Sequence, residues 1–457
     1  MLKNTFKTFK AGLITEGSFL RNIAIFTSGS LLAYLIGFVF TPIITRIYSP
    51  EDYGRFAFFN TILAILFSVS TLNYSEALIL PKKTKDFHIL CRLILTISFI
   101  ITILFTAFLL AFNNSFVAYF NMDGVGYLTF LIPVLLMFSI FQIIADNHNI
   151  RKKQFSVNSK SKIASVIFSK GSVAIIGLKF GSSVAGLISG EIIIRGINYF
   201  SLLGRKSVKI PFKIIRGINW DDLKRVAEKY RKYPIYIFPS SLLLQFSLHF
   251  PIFIISKTYS SEMLGFYSLA LTLLGIPIQI IGFSVGKVFL QKANEIAQSN
   301  DGLLLFRLII KLFYFSLVFS IAGYGIVYFF GQWIFHLIAG EDWNLAGRVA
   351  VLLSPGLAVQ LVATIVMPSY RVLRIERLRF ASELIGSGIL AMMVLVFAYM
   401  NFDFMFFMFL FSILLFLKYL ITIGFLFRKI KTKNLVHLTP LILLFLMAYA
   451  FLFESSF

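Results

Sequence analysis

The stretch that decides the fold is ITRIYSPEDYGRFAFFNTILAI, residues 44–65, because the chain repeats it at residues 255–276 as ISKTYSSEMLGFYSLALTLLGI. The offset between the copies is constant at 211 residues, and both copies keep a Tyr-Ser pair, a glutamate and a glycine. In each copy an apolar segment ends at a basic residue, Arg46 or Lys257, followed by the tyrosine. That order is typical of a membrane–water boundary.

The residues after the tyrosine predict the start of a second helix in each copy. Ser49 is a favoured N-cap residue, and Pro50 fits the first helical position. Glu51 then meets the positive end of the helix dipole. In the second copy Ser260 and Glu262 take the same parts without the proline. The repeated unit is therefore a pair of helices joined by a tight, capped turn.

A second match supports a duplication of the chain. The sequence DFHILCRLI begins at Asp86, and DGLLLFRLI begins at Asp301, an offset of 215 residues. A small loop insertion accounts for the change of offset. We therefore expect two related halves.

The composition indicates a polytopic membrane protein. Of the 457 residues 58% are hydrophobic, 54 are Phe, and the mean hydropathy is +0.85. Apolar runs of about 20 residues, enough to cross a bilayer, recur along the chain. The single Cys91 excludes a disulfide framework and a cysteine-rich metal site, and we expect no cofactor. The first apolar run is a full span without a small-residue cleavage site, so no cleaved signal peptide is expected.

Hydropathy predicts an all-α fold of twelve core helices plus a thirteenth segment. The expected helices are 22–47, 53–79, 87–112, 126–147, 160–179, 182–203, 234–257, 263–288, 304–331, 345–368, 380–400, 403–427 and 437–453. The last is short and contains Pro440, so its sequence leaves open whether it spans. The expected parts are a basic amphipathic segment at 1–21, an N-lobe at 22–203, a connector at 204–233, a C-lobe at 234–427, and a basic loop with the extra helix at 428–457.

The net charge of +23 is spread over short loops, which excludes a nucleic-acid surface as its cause. With a cytoplasmic N-terminus, 35 of the 43 Lys and Arg lie in cytoplasmic segments and five lie in outer loops. This asymmetry follows the positive-inside rule. Six spans per half make both halves start on the same side. The lobes are therefore predicted to be parallel and related by a pseudo-two-fold axis along the membrane normal.

The connector carries ten basic and three acidic residues. Within it Asn219 precedes WDDLKRVAEKY, where Leu223, Val226, Ala227 and Tyr230 share a helical face. The pattern predicts an amphipathic helix that lies on anionic lipid. Recognition of substrate headgroups is the alternative.

The basic N-terminal segment, the first helix with SGSLLAYLIGFVFTPIITRIYSPEDYG at residues 28–54, and the two parallel lobes resemble a known family. This pattern is similar to the polysaccharide-biosynthesis flippases of the multidrug/oligosaccharidyl-lipid/polysaccharide exporter superfamily, and O-antigen flippases are the nearest comparison. The resemblance covers nearly the whole chain. Members have 12 or 14 helices, so the short thirteenth segment departs from the pattern.

The resemblance implies a function in the bacterial inner membrane. It implies that the protein moves an undecaprenyl-diphosphate-linked oligosaccharide, as in O-antigen or lipopolysaccharide synthesis, from the cytoplasmic to the periplasmic leaflet. The two lobes would give access to the two sides in turn. The implied partners are this substrate, membrane lipids, a coupling ion (H⁺ or Na⁺) and a polysaccharide polymerase. The sequence names neither the sugar nor the ion.

Three basic residues are predicted to lie inside the spans and are counted with neither set of loops: Lys170, Arg195 and Lys418. A charge in the hydrocarbon core is costly, so it usually faces a cavity or a partner. Glu191 lies four residues before Arg195 and can pair with it. Lys170 has no acid within a turn of its own helix and is therefore the first candidate to attract a diphosphate or acidic sugar. Lys418 is expected to snorkel to the cytoplasmic surface.

Further polar residues complete the predicted substrate cavity. Asn198 lies beside Arg195, while Gln245 and His249 lie four residues apart in the second lobe. Arg46 is predicted at the outer mouth, where it guides an anion or anchors its helix. Purely structural alternatives remain open, because an Arg-Glu pair can join two helices and a histidine is often a packed, hydrogen-bonded residue.

The sequence lacks convincing catalytic and nucleotide-binding motifs, which points away from an enzyme. The sequence GFSVG at residues 282–286 matches a nucleophile motif, but it lies in an apolar helix instead of a strand–turn–helix. We find no phosphate-binding loop and no zinc motif. The two G-x-x-x-G motifs, at residues 177–181 and 186–190, predict close helix contacts.

Two rival functions stay open. A drug or small-solute antiporter of the same superfamily, coupled to an ion, needs a carboxylate deep in a lobe, and Glu191 is the candidate. A polysaccharide polymerase or ligase typically needs a large outer loop, whereas the predicted outer loops are short.

Overall fold

The computed structural model describes residues 19–207, 219–298, 302–400, 402–429, 439–443, 448–450 and 452. Over this part of the chain the structure is helical, and it contains no strand. Among the described residues, eleven helical segments are long and apolar enough to cross a membrane. The prediction of an all-α polytopic membrane protein is confirmed.

Six long helices follow the first six predicted spans. They are α1 (Phe19–Ile47), α2 (Pro50–Thr71), α3 (Thr84–Tyr119), α4 (Leu131–Arg151), α5 (Phe155–Phe180) and α6 (Val184–Ser207). Single 3₁₀ turns at Tyr74–Ile79 and Gly126–Phe130 lead into α3 and α4. The helix α6 carries Glu191 and Arg195 and is not one of the eleven most apolar helices.

The connector forms α7 (Trp220–Lys229), and seven long helices follow it among the described residues, together with a single short turn of helix at Ser369–Val372. The long helices are α8 (Phe238–Thr258), α9 (Ser261–Pro277), α10 (Phe283–Gln298), α11 (Gly302–Ala339), α12 (Asn344–Val366), α13 (Glu376–Tyr399) and α14 (Phe404–Lys429). A π-helical turn at Ile278–Gly282 joins α9 to α10, so one continuous helical segment follows Ser260. The described residues thus account for the predicted helices of the second half.

The chain divides into two compact units, which we call the first and second lobes. The first lobe comprises Met1–Tyr48 and Arg55–Leu242, and the second comprises Ser49–Gly54 and Leu243–Phe457. In the first lobe α5 packs against α1 and α6, and α4 packs against α6. In the second lobe α12 is almost wholly buried between α11, α14 and α9. The two-lobe architecture is confirmed, while the exact boundaries predicted from the sequence stay predictions.

The predicted helix caps of the repeated stretch are present in both copies. The Ser49 hydroxyl accepts a hydrogen bond from the Asp52 amide at 3.3 Å, and the Ser260 hydroxyl accepts one from the Met263 amide at 3.2 Å. The repeated tyrosine of the first copy packs inside the protein. Tyr48 is only 1% exposed and donates its hydroxyl hydrogen bond to the Val173 carbonyl at 2.9 Å. Its polar tip is therefore satisfied by backbone, while its position at the membrane boundary stays a prediction.

The repeated glycines, Gly54 and Gly265, allow α2 and α9 to touch through their backbones. A Cβ at Gly54 would overlap the Ser261 carbonyl oxygen, and a Cβ at Gly265 would overlap the Pro50 carbonyl oxygen. The contact is reciprocal, because Pro50 and Ser261 are themselves repeat partners at the 211-residue offset. This contact lies within the second lobe, to which Ser49–Gly54 belongs.

The amphipathic connector helix is confirmed, but the prediction that it lies on lipid is wrong. Its apolar residues Leu223 and Val226 are buried in a protein core with Leu90 and Ile94 of α3. The apolar face of the connector helix is therefore covered by protein of the first lobe and is not available to lipid.

Ion pairs hold the same helix in place. The carboxylate of Asp86, in the first turn of α3, accepts from Lys229 at 2.6 Å and from Arg225 at 3.4 Å. The hydrogen bond to Asp86 raises the pKa of Lys229. The repeat partner Asp301 lies outside the described residues.

The glycine motifs of α5 and α6 make the close contacts that were predicted. A Cβ at Gly177 would lie 2.8 Å from the Tyr48 ring, and one at Gly190 would lie 2.5 Å from Val173. Gly186 also leaves room for the Tyr48 hydroxyl. Gly181 instead ends α5 with a positive φ of 81°, a conformation that favours glycine.

The C-terminal segment packs on the second lobe where it is described. Tyr449 is buried and its hydroxyl lies 2.8 Å from the Ser412 hydroxyl of α14. The Tyr328 hydroxyl of α11 donates to the Ala448 carbonyl at 2.8 Å. Whether residues 437–453 cross the membrane stays a prediction, and the predicted N-terminal segment 1–21 lies almost entirely outside the described residues.

Candidate functional site

Three charged side chains meet inside the first lobe. Arg195 forms a close ion pair with Glu191, one turn earlier on α6, and its Nε donates to the Ser139 hydroxyl of α4 at 2.9 Å. Glu191 also interacts electrostatically with Lys170 on α5. Glu191 is therefore paired with Arg195 and lies within electrostatic range of Lys170. The side chains of Arg195 and Glu191 keep 18% and 22% of their surface exposed.

The surroundings of Lys170 extend the prediction made for it. No acid lies within a turn of it on α5, as the sequence indicates, and the compensating charge comes from Glu191 on the neighbouring helix α6. Two cations beside one carboxylate leave a net positive site. Because the surroundings are apolar helices, such a charge attracts an anion more strongly than it would in bulk water.

A polar face of α4 adds to this site, and the sequence analysis missed it. Ser139, Gln142 and Asp146 are spaced by three and four residues, so they share one side of the helix. Gln142 hydrogen-bonds to Asp146, which also interacts electrostatically with Lys162 of α5. This 3–4 spacing of polar residues in an apolar span was the signal that could have revealed it.

Lys162 falls at the start of the predicted helix 160–179, and it lies two turns inside α5, which begins earlier, at Phe155. Its Nζ donates to the Ser30 hydroxyl of α1 at 3.2 Å and lies 5.4 Å from the centre of the Tyr34 ring. Lys162 and Lys170 are eight residues apart, about 12 Å along the helix axis. The first lobe therefore contains two charged groups that follow each other along α5. One is Asp146 with Lys162, and the other is Glu191 with Lys170 and Arg195. Together they contain three cations and two carboxylates.

Asn198 and Arg46 have contacts that explain their positions. Asn198 is 8% exposed, and its side-chain oxygen accepts from the Ser161 hydroxyl at 3.0 Å, which joins α6 to α5. Arg46 is exposed at the end of α1 and donates to the Pro42 carbonyl at 2.8 Å. Their predicted parts in substrate binding stay predictions.

Gln245 and His249 lie on α8 in the second lobe, one turn apart. The Gln245 side-chain oxygen is buried and has no hydrogen-bond partner among the described residues. His249 is partly buried. The idea that these two residues complete a cavity with Lys170 and Arg195 stays a prediction.

The prediction that Lys418 snorkels to the surface is wrong. Lys418 is 1% exposed, and its Nζ lies 3.5 Å from the Glu383 carboxylate of α13. Its ammonium also lies 5.2 Å from the centre of the Tyr419 ring. Gly386 leaves room for the lysine stem, since a Cβ there would lie 2.9 Å from Lys418 Cγ. A charged partner inside the lobe replaces the solvent that snorkelling would have reached.

No group of three or more His, Cys, Asp or Glu side chains is placed to hold a metal ion in the part of the chain that the structure describes.

Comparisons with solved structures identify the fold. "Lipid II flippase MurJ, inward closed conformation" matches with a TM-score of 0.64 and 12% identity, covering 95% of this chain and 99% of that one. An inward-facing multidrug resistance MATE family transporter of the MOP superfamily matches with a TM-score of 0.63 and 11% identity, covering 93% and 96%. The Vibrio cholerae MATE transporter VcmN in the bent form gives 0.50 and 12%, covering 91% and 98%. At these identities the likeness concerns the fold alone.

Sequence comparison supplies the family. No curated protein matches the chain. The family model described as "Polysaccharide biosynthesis protein" matches residues 43–305, more than half of the chain, and this range includes the repeated stretch and the charged groups of α4, α5 and α6. The chain therefore belongs to the polysaccharide biosynthesis protein family, and it has the two-lobe transporter fold found in the MurJ flippase and the MATE transporters.

Proposed function

We propose that this protein is a flippase of the bacterial inner membrane. It would move undecaprenyl-diphosphate-linked oligosaccharide repeat units, of the O-antigen or capsule type, from the cytoplasmic to the periplasmic leaflet. The observation that carries the proposal is the net positive group of Lys170, Arg195 and Glu191 within the first lobe. The family and the fold shared with a lipid flippase support it.

The geometry suggests how an anion would be held. In the absence of substrate Glu191 compensates both cations. A diphosphate brings a second acceptor, so Lys170 can turn to it while Arg195 keeps its bonds to Glu191 and Ser139. At about 4 Å and an effective dielectric of ~20, each cation–anion contact contributes about 4 kcal/mol before desolvation is subtracted. The isoprenoid tail would stay in the bilayer while the two lobes open to each side in turn.

Lys162 and Asp146 would assist entry. The predicted topology places the start of α5 at the cytoplasmic side. A substrate that enters from the cytoplasm would therefore meet Lys162 before Lys170. Coupling to H⁺ or Na⁺ and association with a polysaccharide polymerase belong to this proposal. They rest on the family resemblance and not on a contact in the structure.

An ion-coupled drug or small-solute antiporter is the second candidate. It is favoured by the similarity to a MATE transporter and by Asp146, a partly buried carboxylate in the first lobe. A polymerase or ligase has less support, because α11 and α12 are joined by only a few residues, and the predicted outer loops are short in the part of the chain that the structure describes.

A deletion strain tests the proposed function. We expect loss of surface polysaccharide and accumulation of lipid-linked repeat units on the cytoplasmic leaflet, restored by the wild-type gene. Accumulation of unpolymerised units on the periplasmic leaflet would instead identify a polymerase. Normal polysaccharide with increased drug sensitivity would support the antiporter.

Variants of Lys170 test the site. Lys170→Arg should keep most transport because it keeps the charge, Lys170→Ala should lower it about tenfold, and Lys170→Glu should abolish it by adding a second carboxylate beside Glu191. Surface glycan is measured together with the amount of protein in the membrane. Lys179→Ala is the matched control, since Lys179 is an exposed lysine of the same helix. Normal transport by Lys170→Ala, or a loss that only follows protein level, would refute the cationic site.

A further inference from the structure

A cavity of about 360 Å³ lies in the second lobe, apart from the charged groups of the first lobe. Residues of α11, α12 and α14 and of the C-terminal segment line it, among them Gln332, Trp333, Arg348, Met405 and Leu452. Its volume falls within the range of small-ligand sites. No part of the proposed transport mechanism uses it.

Two glycines bring α11 and α12 close together beside this cavity. A Cβ at Gly331 of α11 would lie 2.8 Å from Val351 Cγ2, and a Cβ at Gly347 of α12 would lie 2.8 Å from the Cα of Gln332. The two helices are therefore in close contact at this point. The residues that follow the glycines, Gln332 and Arg348, both line the cavity. The tight crossing thus fixes the polar groups at a defined place.

Arg348 is the cation of the cavity. It is exposed, and within the described ranges it has neither an ion pair nor a hydrogen-bond partner. Arg348 lies one turn into α12, directly after the turn that ends α11, which is where the membrane interface is expected. An exposed guanidinium without a protein partner is available to an anion, and its planar donors suit a phosphate.

The walls beside Arg348 are apolar and outward-facing. Phe329, Phe330 and Trp333 of α11 are 71%, 58% and 65% exposed. In a membrane-spanning helix such side chains meet acyl chains, and tryptophan is typical of the headgroup level. The cavity therefore places one cation at headgroup height with a hydrocarbon surface beside it.

We propose that this cavity binds an anionic phospholipid with one phosphate diester and a neutral polar head, such as phosphatidylglycerol. Arg348 holds the phosphate, Gln332 bonds the glycerol hydroxyls, and an acyl chain lies along Phe329 and Trp333. A single cation matches a single phosphate. Zwitterionic lipids bind more weakly, because their ammonium group opposes Arg348.

Native mass spectrometry of the purified full-length protein tests this proposal. Phosphatidylglycerol and phosphatidylcholine are titrated separately, and we expect wild type to retain the first about tenfold more tightly. Arg348→Gln, which keeps much of the side-chain volume, should remove that preference, and Arg348→Lys should keep part of it. Lys179→Ala is the control, because it removes one exposed cation near the same predicted membrane side that does not line this cavity.

Three outcomes would overturn the proposal. They are equal binding of both lipids by wild type, unchanged phosphatidylglycerol binding by Arg348→Gln, or full displacement of the lipid by inorganic phosphate, which would mark a free-anion site. Melting curves of each variant ensure that a loss of binding is not a loss of fold. Transport by Arg348→Gln is recorded in parallel, so that this proposal and the flippase proposal can fail separately.

Discussion

At the scale of single residues, the buried pair of Lys418 and Glu383 carries a large desolvation cost in the second lobe. Their side chains are 0% and 4% exposed, and the ammonium and carboxylate are 3.5 Å apart. Both carboxylate oxygens of Glu383 lack a hydrogen bond among the described residues. The pair therefore depends on mutual attraction, which offsets desolvation only while both charges are present.

We predict that Lys418→Met destabilises the protein by about 3–5 kcal/mol, because it leaves Glu383 charged and unpaired in an apolar lobe. Glu383→Gln should do the same to Lys418. The double variant should melt closer to wild type than either single variant, since no isolated charge remains. Thermal melting of the detergent-solubilised protein, followed by size-exclusion chromatography, measures all three.

A double variant no more stable than the worse single variant would contradict this account. If the double variant is stable but does not transport, the pair has a functional role as well as a structural one.

At the scale of helices, the repeated glycines explain why the decisive stretch is kept in both copies. Backbone contact between α2 and α9 requires the absence of a side chain at Gly54 and at Gly265. Gly275, on the same helix as Gly265, has no atom within 4 Å of the position that a Cβ would take. Alanine substitutions at Gly265 and Gly275 therefore compare a tightly packed and an open position of the same helix.

We predict that Gly265→Ala and Gly54→Ala each sharply lower the yield of folded protein, because the added methyl group meets backbone that cannot rotate away. Forced overpacking costs typically about 1–3 kcal/mol, and a clash with backbone lies at or above the upper end. Gly275→Ala should be neutral or slightly stabilising, as alanine is the better helix former. The monodisperse fraction after solubilisation is the measurement, and equal behaviour of Gly265→Ala and Gly275→Ala would refute the close contact.

At the scale of the whole molecule, the distribution of basic residues predicts the orientation in the membrane. The prediction is a cytoplasmic N-terminus and a cytoplasmic connector, based on 35 basic residues on one side and five on the other. A cysteine at Asp123, an exposed loop position, should react with an impermeant maleimide added from outside, whereas a cysteine at Lys206 should not. The native chain is the control, since its single Cys91 is buried. The reverse labelling would invert the assignment of the cavity entrance.

The sequence by itself determined the class and the architecture of this protein. Apolar runs long enough to cross a bilayer, and an internal repeat, predict a helical membrane protein with two lobes because both signals are local. The capped turns at Ser49 and Ser260 were predictable for the same reason, since an N-cap depends on a few neighbouring residues. The family resemblance rested in part on the contiguous stretch 28–54, and residues 43–54 of it lie inside the range that the family matches.

The tertiary structure alone decided which charges meet. The partners Lys170 with Glu191, Lys162 with Asp146, and Lys418 with Glu383 come from different helices. The connector helix likewise needed the first lobe to show that its apolar face packs on protein. The physical reason is that hydropathy reports how deep a residue lies along its own helix, whereas charge compensation depends on the rotation and contact of neighbouring helices.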